Sequence, residues 1–156
     1  MGTSTKEGPD ILGGVTVGLI IILLAIIFVT IPNIFAHIVN FFTDFAWSEL
    51  FPQFWWWTPQ NPANHIIVYN AIYLFFIGTL VINIVVLILR VIFKDSYRRQ
   101  IETIGGIVMS AGVTWAAYNL TLSYNLTVFT GYLIVFIGVS VIISSLGQWL
   151  VRQYTH

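Results

Sequence analysis

The chain contains no cysteine. Disulfides, thiolate metal sites and cysteine nucleophiles are therefore excluded. Charge is scarce as well. Only 8% of the 156 residues are Asp, Glu, Lys or Arg, where a soluble domain carries about 25%. A water-facing surface cannot be built from so few. Six Lys or Arg balance six Asp or Glu. No basic stripe exists, so no nucleic-acid partner is expected. Catalytic signatures are missing too: there is no Gly-x-Ser-x-Gly and no phosphate-binding glycine loop. No ionisable residue lies in the middle of a long apolar run, which counts against a proton relay or an intramembrane protease. We therefore nominate no catalytic and no cofactor-binding residue, and expect no catalysis from this chain alone.

What is present is apolar. Hydrophobic residues make up 58% of the chain. They gather in four runs, at 11–31, 66–89, 103–122 and 128–151. A helix of about 20 apolar residues crosses a hydrocarbon core of about 30 Å. The expected fold is all-α: a single membrane domain over residues 1–156, with four transmembrane helices in an antiparallel bundle. An outer loop, 32–65, joins the first two spans. The first run is too long for the apolar part of a signal peptide, and Glu7 and Asp10 precede it. It reads as a retained span.

Charge gives the orientation. Lys6, Arg90, Lys94, Arg98, Arg99 and Arg152 all fall on one side of a four-span arrangement. The segments 32–65 and 123–127 contain no Lys or Arg. Basic residues stay on the cytoplasmic side. Both termini are thus expected in the cytoplasm, with the protein in the plasma (cytoplasmic) membrane. Arg90 and Lys94 are read as snorkelling towards lipid phosphates. Asp95 and Glu102 are in reach of Arg98 or Arg99.

Lipid tails give helices no hydrophobic reason to associate, so small residues that allow close approach matter. Gly14 and Gly18 form a GxxxG pattern. Gly105 and Gly112 lie in the third run. Gly131, Gly138 and Ser145 recur every seven residues in the fourth, on one face. These are read as packing surfaces, within the chain or between copies. Asn83 is the deepest amide in the second run. It must find a partner, either on a neighbouring helix or along a polar path with Asn70, Ser140 and Ser144.

The outer loop holds the most patterned polar residues. Asn33, His37, Asn40 and Asp44 recur at helical spacing, interleaved with Phe and Ile. An amphipathic helix of about 14 residues is expected around them, after Pro32. Its polar face suits water or headgroups. The rival reading is a metal site on His37, Asp44 and His65, since imidazole and carboxylate suit zinc, iron or copper. No His-x-x-x-His or Glu-x-x-His pair supports it.

Beyond this stripe lies Trp55-Trp56-Trp57, flanked by Pro52, Pro59 and Pro62. Tryptophan concentrates where membrane meets water. The three rings are read as an outer anchor and possible docking surface. Because adjacent rings cannot all face one way, at least one is expected to turn to a partner. Trp47, Tyr69, Tyr73, Trp115, Tyr118 and Tyr124 are expected at the same outer level, and Tyr97, Trp149 and Tyr154 at the inner one. Asn119 and Asn125 both begin glycosylation sequons on that outer side.

The leading functional expectation is a non-catalytic integral membrane subunit that packs against itself or a larger membrane complex. The alternatives are a small transporter or channel oligomer, and a metal- or cofactor-binding membrane redox subunit. The expected partners are the lipid bilayer and other membrane subunits or further copies.

Overall fold

A computed structural model describes residues 11–154. Lys6, Glu7, Asp10 and His156 lie outside the described residues. The chain is mostly helical, at 82%. Three of its helices are long and apolar enough to cross a membrane.

Helix α1 runs from Ile11 to Thr30. Its hydroxyls are satisfied within the helix: Thr16 donates to the Leu12 carbonyl and Thr30 to that of Ile26, both at 2.8 Å. Pro32 ends this stretch because it has no N–H to continue the ladder and disfavours helical backbone before it. Asn33 then takes a left-handed conformation (φ 54°). A separate helix, α2, follows at Ile34–Thr43. It is shorter than the spacing of its polar residues suggests, because the chain leaves the helix at Asp44 and turns into a strand.

That strand departs from the all-α expectation. Residues Phe45–Phe51 form β1 and Phe54–Pro59 form β2, paired antiparallel. Aromatic residues fit a pleated surface well, and here they outweigh the prolines. Pro52 takes the first corner of the turn and Gln53 the second, with φ 72°, the pattern of a type II turn. The register shifts between Glu49 and Phe51, leaving one residue of β1 bulged. A 3-10 turn at Pro62–His65 leads into α3.

Helices α3 (Ile66–Ile92), α4 (Tyr97–Ser123) and α5 (Leu126–Tyr154) complete the chain. Their ends are well defined. Past α3, Asp95 N–H donates to Arg90 O (2.9 Å) and Lys94 N–H to Val91 O (3.2 Å), with Lys94 left-handed at φ 51°. This is a Schellman ending. Ser96 caps α4 by accepting from Arg99 N–H. Tyr124, left-handed at φ 53°, ends it. Asn125 accepts from Val128 N–H at 3.1 Å to start α5.

The substantial helix contacts run in series, α1 on α3, α3 on α4, α4 on α5. The helices thus form an open row rather than a closed ring. Named pairs fix the directions. Tyr73 meets Tyr118 near one end of α3 and α4, and Asn83 meets Ser110 further along. Trp115 meets Tyr132, while the α-carbon of Gly147 faces Ile101. These pairs set α3 and α5 to run opposite to α4.

Helix α4 is the centre of the row. Its buried residues include Gly105, Ser110, Gly112, Val113, Ala116, Ala117 and Leu120, whereas α1 buries only Ile27. Towards one end, Tyr69, Val113, Ala116, Ala117, Leu120 and Phe129 form one cluster with Phe41 of α2. Tyr69 is fully buried. It packs between Phe41 and Tyr124.

Candidate functional site

The residues that carry chemistry converge at the end of the row where α2, the hairpin and the start of α3 meet. Asp44 is the hub. Its Oδ2 accepts Asn61 N–H at 2.8 Å, and its Oδ1 accepts Asn61 Nδ2 at 3.0 Å. His65 Nε2 lies 2.8 Å from Oδ2. An ionised carboxylate can only accept, so Nε2 donates. These bonds, His65 first and Asn61 second, hold the Asp44 carboxyl down at about 2 rather than 3.8. The Asp44 carbonyl also accepts from Gln60 N–H at 3.0 Å. One aspartate thus ties the end of α2 to the exit of the hairpin and to the start of α3. His65 is buried against the edge of the Phe41 ring.

The polar stripe of α2 opens onto this clasp. His37, Asn40, Thr43 and Asp44 line a shallow depression of about 380 Å³ with Asn64 and His65. The three nominated metal ligands therefore share one depression. Among the described residues, no group of three or more His, Asp or Glu side chains is placed to hold a metal ion. Asp44 already spends both oxygens on Asn61 and His65.

The hairpin sorts its aromatic rings by strand alternation. In register, Phe45 faces Pro59, Trp47 faces Trp57 and Glu49 faces Trp55. These six share one face. Trp56 pairs with Ser48 on the other, where Gln60 Nε2 donates to Ser48 Oγ at 2.8 Å. The triple tryptophan is therefore split: Trp55 and Trp57 look one way, and Trp56 the other. Trp47 joins Trp55 and Trp57, at exposures of 68%, 56% and 48%. Glu49 ties its carboxylate back to the turn through Gln53 N–H at 3.0 Å.

The glycines nominated for packing divide into two groups. A Cβ at Gly105 would meet Ser144, and one at Gly112 would meet the Phe136 ring. Both lie where α4 meets α5. Gly14, Gly18, Gly131 and Gly138 have open space where a Cβ would stand, and Ser145 is exposed. Asn83 Nδ2 donates to Ser110 Oγ at 3.4 Å, and Ser140 Oγ donates to the Gly105 carbonyl at 3.0 Å. Two of the proposed path residues are thus occupied between helices, while Asn70 is exposed.

At the opposite end, Arg90 is buried rather than snorkelling. Its guanidinium meets Asp95 at 3.2 Å, and Arg99 meets the same carboxylate at 3.2 Å. Asp95 also accepts Ser96 N–H. Arg98 pairs with Glu102 in water.

Sequence reasoning missed the hairpin face and the role of Asn61. The signal for the first was present: two aromatic-rich stretches of strand length, separated by Pro-Gln. The chain matches no protein-family model, no curated protein and no solved structure.

Proposed function

We propose that the chain is a non-catalytic integral membrane subunit with four spans, both termini cytoplasmic, that assembles with copies of itself or with a larger membrane complex. The observation that carries this reading is the pair of outward small-residue lines, Gly14 and Gly18 on α1 and Gly131 and Gly138 on α5, at the two ends of an open row. Within the chain these positions meet nothing. Small residues with free approach suit a neighbouring helix.

The fourth span in this reading is α4. It is less apolar than its neighbours but equal to α3 in length, 27 residues, or about 40 Å. Flanked by α3 and α5, it turns its small and polar side chains to protein. Thr103, Ser110 and Thr114 return their hydroxyls to carbonyls four residues back, as hydrocarbon requires. The orientation is supported by Arg90, Lys94, Arg98 and Arg99 gathering at the α3–α4 turn, with no Lys or Arg in residues 32–65. The subunit reading is favoured over a channel because Asn83 and Ser140 are already bonded between helices.

The test is gentle extraction from native membranes, with and without Gly131→Leu and Gly138→Leu together. The wild-type chain is expected in a complex of defined stoichiometry, and the double variant is expected to leave it while keeping its helical content. A wild-type chain that runs as a lone monomer in native lipid discs overturns the reading.

A further inference from the structure

We propose that the hairpin is a membrane-bedded flap: the face bearing Trp47, Trp55 and Trp57 lies in the headgroup layer of the bilayer that holds the spans, and the half-buried Trp56 lies on the face turned away from it. This rests on the membrane-spanning reading but not on any partner.

The first argument is where the face begins. Its base pair, Phe45 and Pro59, is turned to the helices. Pro59 is buried, and Phe45 packs against Phe41 and the buried cluster. Further out along the same face, Trp47, Trp57 and Trp55 are exposed. The side of the hairpin whose base packs on the helices is therefore the side that carries these three rings. The other side carries Ser48, Thr58 and the Gln60 bond beside Ala46 and the half-buried Trp56, which stacks on Phe54.

The second argument comes from α2. At about 100° per residue, its side chains fall into three sectors. Ile34, Ile38 and Phe41 turn to the helix row, where Ile34 and Phe41 are buried. His37, Asn40 and Asp44 form the polar sector. Phe35, Val39 and Phe42 lie on the opposite side from the polar sector and are exposed. A helix with opposed polar and apolar sides lies in a membrane interface, apolar side down. The apolar sector leads directly into the hairpin face: Phe42 stacks on Phe45 at 6.1 Å, and Phe45 meets Trp57 at 4.5 Å. Phe35 in turn meets Phe28 of α1 at 4.8 Å. One aromatic surface thus runs from the apolar flank of a span to the tryptophan face.

Charge identifies the kind of contact. Residues 32–65 hold Asp44 and Glu49 but no Lys or Arg. Attraction to anionic lipid cannot hold the flap down. Ring burial can, because indole favours the headgroup level.

The experiment uses single-tryptophan variants, with the other tryptophans changed to Phe. They are placed in phosphatidylcholine vesicles carrying a quencher on the upper acyl chain. Retained Trp57 and Trp47 are expected to be strongly quenched by the lipid and weakly by iodide added to the water, and Trp56 to be quenched by the lipid less than either. Retained Trp149, exposed near the end of α5, is the control. If Trp149 escapes the lipid quencher, the spanning reading itself fails. If Trp149 is quenched and Trp57 is not, only the flap fails. A face shielded from both quenchers is covered by protein, which also overturns the proposal. Should the tryptophan replacements unfold the hairpin, the cysteine-free chain supplies a second route. A spin label at Trp57→Cys is expected to favour oxygen over a nickel reagent, and one at Ser48→Cys the opposite. Equal accessibility at the two sites overturns the flap.

Discussion

Asp44 decides whether the outer segment has one conformation. Without it, the side-chain bonds that tie Asp44 to Asn61, seventeen positions on, would be lost. Because His65 and Asn61 hold its carboxyl down at about 2, the sign of the pH dependence follows. A depressed carboxylate stabilises the folded state fully above its unfolded value of 3.8, and the contribution is lost as pH falls towards about 2. The near-ultraviolet circular dichroism of the hairpin tryptophans is expected to hold from neutral pH to near 3.8 and to fade below it. Asp44→Asn is expected to show the faded signal already at neutral pH, because an amide is a poorer acceptor and cannot hold the His65 and Asn61 donors alike. A wild-type signal in Asp44→Asn would remove the clasp from the account. The sequence displayed Asp44 in its helical stripe. It did not display Asn61 as the partner, because a contact across a hairpin depends on register, and register depends on the bulge after Glu49.

At the level of elements, the ends and the seams are where single changes separate the forces. Lys94 takes the left-handed place in the Schellman ending of α3 and is exposed. An L-residue there carries a steric cost of about 1–2 kcal/mol that glycine avoids, partly offset by glycine's greater freedom when unfolded. Lys94→Gly is expected to stabilise the protein by about 0.5–1 kcal/mol, read as a raised melting temperature in detergent. A lowered one would show that the lysine side chain holds a contact. The glycines give a matched comparison. Gly112→Ala places a methyl into the Phe136 ring and is expected to cost about 1–3 kcal/mol, the range for overpacking. Gly138→Ala meets open space, and in the dissociated chain it is expected to cost nothing and to stabilise by up to about 1 kcal/mol, the helix preference of alanine over glycine. Equal losses at both positions would mean that α5 presents a different face to α4. The long apolar helices were legible because twenty uncharged residues leave the chain few alternatives. Which glycines face inward was not: Gly112 and Gly138 sit in similar surroundings in the sequence, and only the contact between α4 and α5 distinguishes them. The hairpin stayed hidden because its prolines and polar residues resemble a loop, while its strand pattern has aromatics on both faces.

Across the whole molecule, the length of α3 alone separates the clasp from the charged turn. One end carries Asp44, His65 and the tryptophan face, and the other end carries the Arg90–Asp95–Arg99 linkage. These ends are separated by the length of α3, about 40 Å for its 27 residues. That separation suits a bilayer, and it makes α4 the deciding element, since among the described residues only α1, α3 and α5 have the apolar character to span unaided. If α4 crosses in the company of its neighbours, the turn at Tyr124–Asn125 returns to the side of the hairpin. Single cysteines report this cleanly in a chain with no native thiol. Gln60→Cys and Ser123→Cys, both at exposed positions, are expected to react with an impermeant maleimide from outside intact cells. Tyr97→Cys, 71% exposed at the start of α4, is expected to react only after the membrane is opened. Each outcome has one meaning. Labelling of Ser123→Cys only after opening, with Gln60→Cys labelled from outside, would leave α4 on the cytoplasmic side and reduce the helices that cross. Labelling of Tyr97→Cys from outside while Gln60→Cys is protected would invert the molecule, and the positive charges of the α3–α4 turn would then no longer explain its orientation.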